Sequence, residues 1–470
     1  MSVVRPKPPE DPLECDVAGI FATGRIEERD LAALHGRLDA ARVAVSAAAA
    51  GFAAGTALAG SASDAAFIDR PERLLSAYHS ARPASELFAI LGTARRLREA
   101  VDRIVVLGAA GSSLGVRALF ESCCHPCHNE LSRGERGGRP RLSFAGFNFD
   151  NDAVRGLLEL LDGAGRAGRP ADLLDRWALV VASGSDAAPA TAVETRVLLA
   201  ALFAAVGGNR GTLSELFVPI TSSSAALADL ARAVACRDTF EIPSGDATAV
   251  SVFTAAGLLP TATAGIDVVR LLEGAATLNR RFREAPVAEN PVLRFVGAAR
   301  LAEDRLGATL RVVACWSRRL ESLGLWYGRL LAESLGDGGG VAPPAAVVAR
   351  DLPLVAGERG PRGSRLILNL FGGEPRCDRL ALPPLDGPAC NADGLDDLVG
   401  QSWPEMLARD FASTAEACAR GQRPAVGLIL PRIDEHAVGQ LLQLLMLATA
   451  VEARLEGPAG AGPEPNSAGH

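Results

Sequence analysis

The sequence predicts an α/β protein of two three-layer αβα units, each a parallel sheet covered by helices on both faces. Three observations carry this prediction. From Arg103 onward, short apolar runs alternate with longer stretches of helical period, the pattern of parallel strands joined by helical crossovers. A second round of the same alternation, at lower contrast, starts near residue 292. The run IVVLG (104–108) leads directly into the glycine- and serine-rich bend AAGSSLG (109–115). A strand that turns into a helix in this way leaves free N–H groups at the helix N-terminus, a favourable seat for an anion.

Taken in order, residues 1–15 read as a disordered N-terminus and 16–100 as a helical region. The first unit, 101–280, opens with RIVVLG (103–108) and a helix through about 123. It continues with LSFAGF (142–147) and the helix AVRGLLELL (153–161), WALVVAS (177–183) and a helix near 191–206, and ELFVPIT (215–221) before 224–235. The second unit, 281–456, pairs the helix 292–306 with the strand ATLRVVACW (308–316) and the helix 318–335. SRLILNLF (364–371) and VGLILP (426–431) are its further strands, and 437–455 is a closing helix. The glycine–proline region 336–363 reads as a loop, and 457–470 as a disordered tail.

Composition narrows the function. A net charge of −7 excludes a broad grip on a nucleic-acid backbone. No N-terminal apolar h-region precedes the folded part, and the alanine-rich stretch 41–60 carries glycine and serine, which suits a soluble helix better than a membrane span. Nine cysteines scattered over 470 residues suit a reducing cytoplasm. Among 48 basic residues the only lysine is Lys7, so no lysine is available for chemistry within the folded part.

Two local patterns invite other readings. Cys123, Cys124, His125, Cys127 and His128 place five potential metal ligands in six residues. A structural zinc site brings together separated pairs; with no second cluster elsewhere, the competing reading is a helix end whose small cysteines pack inward, broken by Pro126. Gly108, Gly111 and Gly115 lack the G-x-G-x-x-G spacing, and no acidic residue ends the next strand, so a nicotinamide cofactor is not expected.

Several segments, in one order, resemble the glucose-6-phosphate isomerase family. IVVLGAAGSSLGVRALF (104–120) is similar to the family's IGIGGSxLG segment, and AAGLLPTATAGIDVVRLLEGA (255–275) to its SAVGLLPxAxxGIDxxxLLxGA stretch. GLWYGRLLAESLGD (324–337) resembles its WWxQLxxESxGK helix end, and 430–455 its penultimate segment. The likeness runs over roughly residues 100–455. It implies two doubly wound sugar-isomerase (SIS-type) domains and interconversion of glucose 6-phosphate and fructose 6-phosphate through an enediol, without metal or organic cofactor. It also implies a dimer with sites near the subunit interface; pairing with an active relative is the alternative.

The resemblance places the family's catalytic glutamate at Glu333 and a substrate-holding glutamine at Arg329. Taken alone, Glu333 reads as a solvated carboxylate or as the partner of Arg329 one helical turn earlier. The first phosphate turn keeps Gly108, Gly111, Ser112, Leu114 and Gly115, with Ala110 replacing a glycine. The second cradle, SKSGTTxE in the family, reads Ser183-Gly184-Ser185-Asp186-Ala187-Ala188-Pro189-Ala190 here, retaining Ser183 and Ser185. Asp186 would oppose a dianionic phosphate at a cost of a few kcal/mol, on the order expected for like charges in a partly desolvated loop. Ala249 stands at the family arginine, Pro353 at the ring-opening histidine, and no counterpart of the C-terminal lysine follows 455–457. Substrate-binding positions are therefore expected at Gly108, Gly111, Ser112, Ser183, Ser185 and Arg329, with Glu333 as base. Loss of one oxyanion partner alone typically costs about a hundredfold to a thousandfold in rate. The expectation is a family member with weak or lost isomerase activity that binds a sugar phosphate or supports a partner; the alternative is a working sugar-phosphate isomerase.

Overall fold

The computed structural model describes residues 12–53, 67–108, 110–146, 148–162, 173–184, 189–242, 248–335, 345–349, 365–386 and 391–456. The chain enters through strand β1 (Glu14–Asp16) and helices α1 (Ala18–Phe21), α2 (Glu28–Ala33), α3 (His35–Ala53), α4 (Arg70–Ser80) and α5 (Glu86–Ala100). Helix α5 shows why such segments are helical. Ser85 Oγ accepts the Phe88 N–H at the start, and Leu87, Ile90, Ala94 and Leu97 recur every three or four residues on the buried face.

The first sheet contains β2 (Arg103–Gly108), β3 (Arg141–Ala145), β4 (Trp177–Ser183), β5 (Phe217–Thr221) and β6 (Phe240–Glu241), in the order β3-β2-β4-β5-β6 and parallel throughout. Ile104 to Leu107 are all buried, as expected of a strand covered on both faces. Its helices are α6 (Ala110–Cys123), α7 (Asn151–Asp162), α8 (Pro189–Ala205), α9 (Arg210–Leu216) and α10 (Ala226–Val234). A 3-10 turn, Thr248–Phe253, leads into α11 (Ala255–Thr263) and α12 (Val268–Glu284), and α13 (Pro291–Leu306) follows.

The second sheet has β7 (Leu310–Cys315), β8 (Ala345–Ala349), β9 (Arg365–Glu374) and β10 (Ala425–Arg432), with α14 (Glu321–Leu335), α15 (Trp403–Arg420) and α16 (Glu435–Glu456). Its order is β1-β10-β9-β7-β8, parallel except for β1, which runs antiparallel along β10. The architecture is the α/β class with two parallel sheets that the sequence predicts.

Two readings need correction. Glu14 and Cys15, expected to be disordered, and Asp16, expected in the helical region, form a strand paired with Gly427–Ile429, and Leu13 is fully buried with its N–H donated to Gln440 Oε1 at 3.1 Å. The partner edge lies more than 400 residues away in sequence, beyond the reach of any local pattern. Within 336–363, expected to be a loop, residues 345–349 form β8 on the edge beside β7; five residues are too few to show a period against their Gly and Pro flanks. The rest of 336–363, residues 1–11 and 457–470 lie outside the described residues.

Helix α16 is the one described helix long and apolar enough to cross a membrane, and most of it is buried inside the protein. It crosses α12 where Gly274 faces the His436 carbonyl and Gly439 faces the Leu271 carbonyl; a Cβ on either would lie 2.0 Å from that oxygen. His436 is buried in this contact, with Nδ1 3.3 Å from Gln440 Nε2.

Candidate functional site

In the first sheet, β2 connects to β3 on one side, whereas β4 connects to β5 on the other. Strands that diverge like this leave a crevice beyond their carboxyl ends, where open α/β sheets bind ligands. Gly108 ends β2 beside Ala182 of β4, and Ser113 Oγ of the following turn donates to the Gly108 carbonyl at 3.0 Å. Gly146, after β3, has φ +94°, and a Cβ there would meet the Gly108 carbonyl at 3.0 Å. Its N–H donates to Glu194 Oε2 at 2.7 Å. Burial pushes the Glu194 carboxyl above its ordinary range; the Gly146 bond opposes this and the nearby Asp150 charge adds to it.

Glu333 lies near the end of α14, facing the 3-10 turn. Its Oε1 accepts from Thr248 Oγ1 at 2.6 Å and from Arg329 Nε at 2.5 Å, and its Oε2 accepts the Ala249 N–H at 2.8 Å. The Glu333 side chain is 12% exposed and that of Arg329 47%. Behind them Trp326, fully buried, donates Nε1–H to the Ala249 carbonyl at 2.9 Å. The N-terminal part of α6 closes the other side. Ser112 Oγ lies 3.0 Å from Ser251 Oγ, and Ser251 Oγ donates to the Thr248 carbonyl at 2.6 Å. A Cβ on Gly111 would sit 2.2 Å from Thr248 Oγ1 and 2.6 Å from the Ala249 nitrogen. The turn 248–249 is thus pressed against Gly111 from one side and holds Glu333 on the other.

The structure therefore brings Gly108, Gly111, Ser112, Arg329 and Glu333 around one turn. Arg329 is the ion-pair partner of Glu333, one helical turn away. Ser112 is buried and its hydroxyl is engaged by Ser251. Ser183 ends β4 beside the same crevice and is half-buried, while Ser185, Asp186 and Pro353 lie outside the described residues. Thr248 carries no motif that sequence reading could single out, and Trp326 falls within the helix-end motif without any sign of its bond to the Ala249 carbonyl. Glu194 has no marker either, since its role depends on Gly146 arriving from another strand.

The cysteine–histidine cluster is spread by the end of α6. Cys123 is buried and Cys127 exposed, and burial pushes the Cys124 thiol up to about 12. His128 faces the Pro140 carbonyl at 3.1 Å and stacks edge-on against Phe120, and burial lowers its pKa. Among the described residues no three Cys, His, Asp or Glu side chains converge as a metal site would require.

A carboxylate with three fixed donors, a buried indole behind it and a guanidinium at its rim make a rigid polar corner at a sheet switch point. Comparison with known proteins puts this corner in context. No family model matches the chain. The glucose-6-phosphate isomerase of Symbiobacterium thermophilum is 32% identical over 396 residues, covering 83% of this chain and 82% of that protein. That of Heliobacterium modesticaldum is 28% identical over 376 residues, covering 79% and 80%. Among solved structures, a hypothetical protein of Thermus thermophilus superposes with a TM-score of 0.72 at 24% identity over 94% of this chain and 93% of that one. A glucose-6-phosphate isomerase of Chlamydia trachomatis superposes with a TM-score of 0.65 at 16% identity over 91% and 82%. At these identities the two superpositions bear on the fold, whereas the sequence match to the Symbiobacterium protein spans most of both chains. By that match, this chain belongs to the glucose-6-phosphate isomerase family.

Proposed function

We propose that this protein binds a sugar phosphate, glucose 6-phosphate or fructose 6-phosphate, at the corner around Glu333 and has weak or lost isomerase activity. The observation that carries the reading is that the guanidinium beside Glu333, Arg329, is paired with Glu333 itself. An ionised carboxylate offers about four acceptor positions; Thr248, Ala249 and Arg329 occupy three of them and leave one open on Oε2. A base that moves a proton between C1 and C2 needs an open oxygen and a separate cation beside the developing oxyanion. The resemblance assigns that cation to position 249. Here the residue is alanine, whose backbone N–H supports the base, and the nearest guanidinium, Arg329, is paired with the base itself.

A second reading, a working isomerase, draws on the same carboxylate. Glu333 is nearly buried and rigidly aimed, as a catalytic base is, and relatives named as glucose-6-phosphate isomerases match most of the chain. A coupled assay with fructose 6-phosphate separates the two. Under the proposal, the wild type and Glu333→Gln give the same background rate, while both are stabilised against heating by the sugar phosphate. Turnover well above background that disappears in Glu333→Gln establishes the working isomerase instead.

We also propose a cytoplasmic setting, supported by the free thiols of Cys15, Cys123, Cys315 and Cys418 buried in the fold. Assembly as a homodimer or with an active relative follows from the resemblance; light scattering of the purified chain reads it.

A further inference from the structure

The second sheet has a switch point of its own. Strand β7 leads to β8 on one side and β9 to β10 on the other, so β7 and β9 diverge at their carboxyl ends. A cavity of about 950 Å³ opens there, between Trp316, Phe371, Arg319, Arg136, Arg139 and Trp403. It is separate from the Glu333 corner. Helix α6 starts at that corner and ends at Cys123 on this cavity, roughly 16 Å of helix beyond Ser112.

The chemistry of the lining is uneven. Arg136 is 3% exposed; its Nη2 holds Asp102 at 2.8 and 2.9 Å, but its buried Nη1 has no partner. Arg319 donates Nη2 to the Ser122 carbonyl at the end of α6, and its buried Nε has no partner. Arg139 makes no hydrogen bond or ion pair among the described residues. Its guanidinium lies beside Gly265, where a Cβ would meet Nε at 2.1 Å, while the side chain stays exposed.

The acids of the lining are already engaged or open to water. Glu435 lies 3.7 Å from Arg376, Glu374 2.9 Å from Arg379, Glu135 accepts from Ser132, and Asp410 is exposed. The exposed Arg139 guanidinium is the cation that an incoming anion reaches without displacing a partner. Beside the arginines, Trp316, Phe371 and Phe411 form an aromatic wall, with Trp316 edge-on to Phe411 at 5.0 Å and Phe371 stacked on Phe411 at 4.6 Å.

We propose that this cavity is a second binding site, for an organic anion whose phosphate or carboxylate meets Arg139 and Arg319 and whose flat ring lies on Trp316 and Phe371. The ring supplies contact area on the aromatic wall, and the anion supplies charge-assisted hydrogen bonds. The site does not depend on the reading of Glu333.

Calorimetric titration of the full chain with phenyl phosphate, benzoate and inorganic phosphate tests the proposal. One of the two ring-bearing anions binds saturably at one site per chain and more tightly than inorganic phosphate, and the tighter of the two identifies the head group. Arg139→Ala weakens that binding by at least about tenfold without lowering the unfolding midpoint, because the side chain is exposed and unpaired. Glu333→Gln leaves the binding unchanged. Absence of saturable binding, full binding in Arg139→Ala, or loss of binding in Glu333→Gln would each overturn it.

Discussion

Gly111 illustrates how a residue acquires its role from its neighbours. In a glycine-rich turn after a strand, the usual reading is room for a ligand's phosphate. Here the space that a side chain would take is filled by Thr248 and the Ala249 nitrogen, and that close approach aligns Thr248 Oγ1 and the Ala249 N–H on Glu333. Glu194 is a second case. Its carboxyl is held above the ordinary value of 4.5, chiefly by burial. The folded state therefore takes up a proton before the unfolded state as pH falls, and stability rises as pH drops through the folded pKa towards 4.5. Glu194→Gln keeps an oxygen for the Gly146 N–H and removes the buried charge. It is expected to raise the thermal midpoint at neutral pH, with the gain shrinking as the pH approaches the ordinary glutamate value; calorimetric scans across that range check the sign.

Elements meet where their surfaces permit close approach. Helices α12 and α16 cross through Gly274 and Gly439, each facing a carbonyl of the other helix. Gly439→Ala forces the helices apart and is expected to cost about 1–3 kcal/mol, read as a lower urea midpoint with an unchanged slope. The helix periods themselves are local and legible. Leu87, Ile90, Ala94 and Leu97 recur at helical spacing on the buried face of α5, and Glu333 and Arg329 stand four apart on one face of α14. The strand AAVVA at 345–349 is less legible, because a short apolar run on a sheet edge carries no alternation to set it apart from loop.

For the whole molecule, the N-terminal segment closes the second sheet. Strand β1 covers the outer edge of β10, and Leu13, Cys15 and Val17 enter the core. Deleting residues 1–17 uncovers a row of unpaired N–H and C=O groups on β10 and removes two fully buried side chains worth roughly 1.5–3 kcal/mol each. The truncated chain is expected to self-associate at concentrations where the full chain is monodisperse, and light scattering shows it; an unchanged profile would mean that the edge is protected in another way.

By itself, the sequence determined the alternation of strands and helices, the two α/β units and the strand-to-helix turn after Gly108. Each of these is written in residues that are neighbours along the chain, through continuous apolar runs, helical spacing and glycine at a bend. Only the tertiary structure decided that Thr248 and Trp326 hold the Glu333 corner, that Gly111 makes room for protein, and that β1 seals a sheet formed by residues hundreds of positions later. Those outcomes rest on contacts between distant segments, and no local period encodes which distant surface a side chain will meet.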